Sequence, residues 1–195
     1  MLSENIITMK ILIVDNFDSF TFNLVHILEQ FAAEVYVKRN NQIDMDELKE
    51  IDKIVFSPGP GLPSDVKIMY QIINAYKEYK PILGVCLGHQ AIAHFFGAQL
   101  LNMKEVSHGR QKATQIIKSD YIFKNIPAEF NSGRYHSWIV DKNDFPAELE
   151  VTSVDSENNI MSVKHKIYDI RSVQFHPESI MTEYGIEILK NWVEH

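Results

Sequence analysis

Four short apolar runs in the first half of the chain, each followed by a helix-forming stretch, restrict its fold more than any other feature. Lys10-Ile11-Leu12-Ile13-Val14-Asp15 is apolar without alternation, as in a strand of a parallel sheet covered on both faces. In residues 19–31, Phe20, Leu24, Ile27, Leu28 and Phe31 recur at helical spacing, with Asp18 or Ser19 placed to cap the first turn. Residues 34–38 read as a second strand, 45–50 as a short helix, 53–56 as a third strand and 65–79 as a helix. Residues 81–83 read as a fourth strand, and 91–96 as a helix ended by Gly97. This alternation predicts an α/β fold: a doubly wound, mainly parallel sheet with right-handed crossovers and flanking helices. After Gly97 the texture changes to short strands, expected at 99–103, 113–117, 138–140, 149–154, 160–164 and 170–175. Gly109, Gly133, Pro146 and Asn158-Asn159 fall in the turns, and residues 184–193 form a closing helix. The C-terminal half thus adds short antiparallel strands to the sheet.

In such sheets sites form at the C-terminal ends of strands. Three loops open there: Asp15 to Ser19, the Pro/Gly segment Ser57-Pro58-Gly59-Pro60-Gly61, and Gly84-Val85-Cys86-Leu87-Gly88-His89-Gln90. The last carries the single cysteine of the chain where a strand turns into a helix, with glycines two residues to either side. That is the pattern of a nucleophile elbow, in which Gly84 and Gly88 let substrate and backbone come close and the helix dipole favours thiolate. A small buried cysteine beside a helix is the competing reading.

A cysteine nucleophile needs a base, and of eight histidines His176 has the most suggestive setting. Pro177 disfavours helical conformation at His176, and residues two apart in an extended segment face the same way. Glu178 could then orient the imidazole while its other nitrogen serves the thiol, the nucleophile–base–orienter logic of a triad. Equally, Pro177-Glu178-Ser179 could simply begin the last helix. The N–H groups of Leu87 and Gly59 are candidate oxyanion donors, although most Pro/Gly clusters are ordinary rigid turns.

The 195 residues, 45% hydrophobic and 23% charged, suit one domain with a substantial core. A net charge of −7 invites neither nucleic acid nor an anionic membrane. No apolar run reaches the length of a bilayer span and no signal peptide is evident, so cytoplasmic localisation is expected. His89 and His94 have the wrong spacing for one helical face, so no metal is expected, and no nucleotide motif is present. Phe20, Phe22, Phe31, Phe95 and Phe96 are expected in the core.

The cysteine elbow together with Val173-Gln174-Phe175-His176-Pro177-Glu178-Ser179 resembles the class I, triad-type glutamine amidotransferases. Asp15-Asn16-Phe17-Asp18-Ser19-Phe20-Thr21, the Pro/Gly segment and Arg134-Tyr135-His136-Ser137 look like the glutaminase subunits of anthranilate synthase (component II) and aminodeoxychorismate synthase. The resemblance runs from about Lys10 to the C-terminus, leaving residues 1–9 as an extension and 10–195 as the amidotransferase domain. It implies a flavodoxin-like fold and no cofactor. Cys86 would attack the side-chain amide of L-glutamine, with His176 as base and acid and Glu178 orienting it. Gly59 and Leu87 would form the oxyanion hole; Gly59, Pro60, Gly61, Gln90, Ser137 and Trp138 would hold the substrate. Ammonia would pass to a chorismate-binding component I subunit in a hetero-oligomer. The docking surface would include Asp15 to Ser19, His108-Gly109 and Arg134 to His136. Phe17 stands where the family has tyrosine, and Trp138 where leucine is usual. A stand-alone cysteine hydrolase and a binding module that has lost the chemistry are the alternatives.

Overall fold

The computed structural model describes residues 9–31 and 34–195, and for 104–108 the backbone alone. The expected N-terminal extension therefore lies outside the described residues apart from Met9. The parallel half consists of β1 (Lys10–Asp15), α1 (Thr21–Leu28), β2 (Glu34–Arg39), β3 (Lys53–Phe56), α2 (Lys67–Tyr76), β4 (Ile82–Val85) and α3 (Leu87–Phe95). The second half contains β5 (Leu100–Ile116), β6 (Glu129–Val140), β7 (Leu149–Val154), β8 (Ile160–His165), β9 (Ile170–Val173) and α4 (Gly185–Glu194). All nine strands share one sheet in the order β2-β1-β3-β4-β9-β8-β7-β5-β6. The first five in that order are parallel and the remaining neighbours antiparallel.

The apolar runs are continuous because both faces of the parallel half are buried. Ile11 and Ile13 point to a cluster with Leu24, Leu28, Leu189 and Trp192 from α1 and α4. Leu12 and Val14 point the other way, to Met69, Ile72, Ala91 and Ile92 from α2 and α3. Period-two alternation within one strand thus sorts the helices onto opposite faces. Lys53, buried at the start of β3, ties the layers together: Nζ donates to the carbonyls of Trp192 and Val193 at 2.8 and 3.0 Å. A cation there satisfies the last carbonyls of α4 and matches the negative end of its dipole.

Several boundaries differ from expectation. Residues 45–50 hold only a 3-10 turn, Glu47–Glu50, and the helix after the Pro/Gly segment begins at Lys67. Helix α1 starts at Thr21, and Asp18 Oδ1 accepts from the Phe20 N–H in the turn before it. The strands expected at 99–103 and 113–117 are one 17-residue strand, β5. Gly109 does not turn the chain back; with φ +64° it sits at a register shift between His108 and Arg110. Gly133 lies inside β6, where an added Cβ would stand 3.1 Å from Met181 Cβ. Phe22 is exposed rather than in the core, and Phe20 packs edge-on against His176.

Candidate active site

Because β1, β3, β4 and β9 run parallel, the loops that follow them emerge on one edge. Asn16, just after β1, anchors the Pro/Gly segment: its N–H donates to Ser57 Oγ at 2.8 Å and its Nδ2 to the Ser57 carbonyl at 2.9 Å. Gly59 is pressed between that loop and the start of α3. A Cβ on it would lie 2.6 Å from Asn16 Cβ and 2.9 Å from Leu87 Cδ2, so only glycine brings the Gly59 N–H this close to the helix start.

Cys86 joins β4 to α3 with φ 51° and ψ −99°, a conformation that costs a non-glycine residue about 1–3 kcal/mol. It is held there by its own N–H, which donates to the Val173 carbonyl at 2.9 Å, and by the Gln90 N–H returning to its carbonyl at 3.0 Å. Gly84 and Gly88 serve this turn through backbone contact and do not line the cavity. A Cβ at Gly88 would meet Phe56 Cβ and O at 2.6 Å, and one at Gly84 would meet the Gly88 carbonyl at 2.5 Å. Leu87 is the first residue of α3, where the leading N–H groups have no partner within the helix.

A cavity of about 230 Å³ opens at the elbow. Its walls are Gly59, Pro60, Gly61, Cys86, Leu87 and Gln90 from the parallel half, and Tyr135, His136, Ser137 and Trp138 from β6. Every residue expected in the oxyanion hole or around the substrate is on that wall. β6 lies last in the sheet order yet reaches α3, where Gln90 Nε2 donates to the Trp138 carbonyl at 2.9 Å.

His176 and Glu178 are buried behind Cys86, with His176 Nδ1 2.6 Å from Glu178 Oε1. The route differs from the extended one expected. β9 stops at Val173, and His176-Pro177-Glu178-Ser179 forms a turn closed by the Ser179 N–H on the His176 carbonyl at 3.2 Å. Proline in the second position of the turn folds Glu178 back onto the imidazole. The last helix begins only at Gly185, so Pro177 is not its first turn. The rings of Tyr135 and Phe20 stand edge-on to the imidazole at 4.8 and 6.0 Å. Burial pushes the His176 pKa down, but the Cys86 sulfur and then Glu178 outweigh it and hold the imidazole well above the usual histidine range. A cationic imidazole beside a cysteine sulfur is the resting state of a thiolate nucleophile.

One expectation fails at this edge and another is not tested. Arg134, expected on a docking surface, is 1% exposed; its Nη2 donates to the Ala113 carbonyl and Thr114 Oγ1 at 3.1 and 2.7 Å. The His108 side chain lies outside the described residues. Asn16, Tyr135 and Gln174 fall within the motifs that carry the resemblance, but the sequence assigns none of them a catalytic or substrate-binding role. For Gln174 the signal was present, since a residue two before His176 on an extended segment shares its side. No cluster of three or more His, Cys, Asp or Glu capable of holding a metal occurs among the described residues.

A model of the class I glutamine amidotransferases matches residues 12–195. The chain is 42% identical over 188 residues to anthranilate synthase component 2 of Pyropia yezoensis, covering 95% of this chain and 99% of that relative. It is also 42% identical over 188 residues to aminodeoxychorismate/anthranilate synthase component 2 of Bacillus subtilis, covering 94% and 95%. The fold matches a solved glutamine amidotransferase from Thermotoga maritima with TM-score 0.76 at 16% identity, over 88% of this chain and 76% of that one. The chain belongs to the class I glutamine amidotransferases. Within that family it is similar to component II subunits named for anthranilate and for aminodeoxychorismate synthesis.

Proposed function

We propose that this chain is the glutaminase subunit of a chorismate-aminating synthase, with anthranilate as the product. The observation that carries the reading is the cavity at the elbow, with Cys86 in its wall and the His176–Glu178 pair hydrogen-bonded behind it. Cys86 Sγ attacks the side-chain amide carbon of L-glutamine, and the Gly59 and Leu87 N–H groups take the charge that develops on oxygen. His176 gives its proton to the departing nitrogen, ammonia leaves, and a glutamyl thioester remains. Water, deprotonated by His176, then attacks the thioester; glutamate departs and the sulfur is restored. Gly59, Pro60, Gly61, Gln90, Ser137 and Trp138 hold the substrate. Gln90 Nε2 and the Trp138 carbonyl bind each other, so the wall of the cavity is fixed before substrate enters. Residues 10–195 constitute the amidotransferase domain and residues 1–9 an extension. The partner is a component I subunit, in a hetero-oligomer in the cytoplasm. Among the described residues no helix is long and apolar enough to cross a membrane.

The similarity to a relative named for both syntheses supports a second product, 4-amino-4-deoxychorismate. The test is chorismate amination with glutamine, the chain being mixed in turn with an anthranilate-type and an aminodeoxychorismate-type component I and the two products resolved. Anthranilate should form with the first partner, and Cys86→Ser should abolish it while ammonium salts still support amination. Glutamine-dependent product from the Cys86→Ser complex would remove Cys86 as nucleophile. Product with the second partner alone would move the chain to folate synthesis.

A further inference from the structure

We propose that Gln174 is a positioning residue for the Cys86 sulfur, an assignment that rests on Cys86 being the nucleophile of glutamine hydrolysis. Gln174 lies between β9 and His176, fully buried, with its main-chain N–H on the Met161 carbonyl at 2.8 Å. Its Nε2 donates to Cys86 Sγ at 3.7 Å. It is absent from the cavity wall, so it reaches a substrate only through the wall residues it touches, Cys86 and Gln90.

A carboxamide could in principle present either end to the sulfur, and here the choice is set by a chain of partners ending on the main chain. The Trp138 carbonyl can only accept, so Gln90 must offer it Nε2, at 2.9 Å. The same nitrogen carries a second hydrogen, which goes to Gln174 Oε1 at 3.1 Å. With its oxygen committed to Gln90, Gln174 has only its N–H left for the sulfur. Turning the amide over would set two NH₂ groups against each other and an oxygen lone pair against the sulfur, between side chains that are themselves buried. The arrangement gives the sulfur a fixed donor beside the imidazole. A hydrogen bond to an ionised acceptor is stronger than one to a neutral group, so this donor favours the sulfur in its reactive form and fixes its direction of attack.

Gln174→Met tests this, because methionine is neutral, unbranched and of similar length but has no N–H. Cys86 is the chain's only cysteine, so iodoacetamide labelling reads the sulfur directly. The variant should label about tenfold more slowly at neutral pH, the size of one hydrogen bond to a charged group, with its pH profile moved to the alkaline side. In the complex with component I, kcat for glutamine should fall about tenfold and KM stay within about twofold, since the donor acts after binding. An unchanged labelling profile in a variant with the wild-type melting temperature would overturn the proposal. If the methionine variant does not fold, Gln174→Leu removes the N–H in a shorter apolar side chain; an unchanged profile there overturns it equally. Labelling needs no glutamine, so if the wild-type chain hydrolyses none, the proposed function falls while Gln174 is still judged.

Discussion

The two oxygens of Glu178 have unequal surroundings: Oε1 takes the His176 Nδ1–H at 2.6 Å, while Oε2 is buried with no hydrogen-bond partner among the described residues. A carboxylate so enclosed is held by the imidazolium it faces, and the imidazolium is stabilised in return. The raised pKa of His176 has this pair among its causes, after burial, which opposes it, and Cys86, which outranks Glu178 in supporting it. Glu178→Gln keeps the volume and removes the charge. We expect kcat for glutamine to drop by about 100-fold, the lower range of general acid–base effects, with KM little changed. Steady-state kinetics of the complex would show it, and a variant with wild-type kcat would exclude Glu178 as the orienting group. The pair itself was legible in the sequence, because Pro177 keeps His176 out of a helix. The turn that joins them was not, since proline is compatible with either an extended step or the second position of a turn.

At the level of elements, the parallel half could be read almost strand by strand, because strands buried on both faces leave uninterrupted apolar runs. The antiparallel half could not. Gly109, Arg110 and Gln111 are exposed along β5, so no hydrophobic alternation marks the strand there. Gly133 suggested a turn, but it is glycine because Ser179 and Met181 pack against β6 at that point. The docking-surface expectation fails at Arg134, which is next to the cavity in sequence yet points into the protein. Where helix meets sheet, the glycines of the elbow were legible as close approaches, but not what they approach. Gly88 is set against Phe56 on β3, where an added Cβ would stand 2.6 Å from Phe56 Cβ, too close for any carbon. Gly88→Ala should therefore push the first turn of α3 off the sheet and displace the Leu87 N–H. Overpacking of this kind costs about 1–3 kcal/mol, and urea unfolding should show a loss of that order together with slower glutamine hydrolysis. Wild-type stability with wild-type activity would mean that α3 is not clamped there.

The whole molecule should also respond to acid through its buried histidines. His89 is fully enclosed, its Nδ1 2.8 Å from Ser172 Oγ, and burial followed by the neighbouring His136 pushes its pKa down to about 3. His136 is pushed down to about 4, first by burial and then by the Arg134 guanidinium. His165 is lowered in the same sense, chiefly by burial. Each is neutral in the folded chain and takes a proton more readily once unfolded. The unfolded state therefore binds more protons below about pH 6.5, and stability is full above that pH and declines as pH falls toward the folded values. The slope is up to about 1.4 kcal/mol per pH unit for each histidine. His176 works in the opposite direction: its raised pKa contributes stability below about pH 6.5 that is lost as pH rises through the folded value. Between them these groups place the stability maximum near neutral pH. Urea unfolding measured between about pH 5 and 7.5 should show a steep acid side, and His89→Gln should flatten it by one histidine's share while leaving the alkaline side unchanged. A slope unaffected by His89→Gln would mean that His89 takes its proton inside the fold, and that the enclosed layer beneath the cavity admits charge.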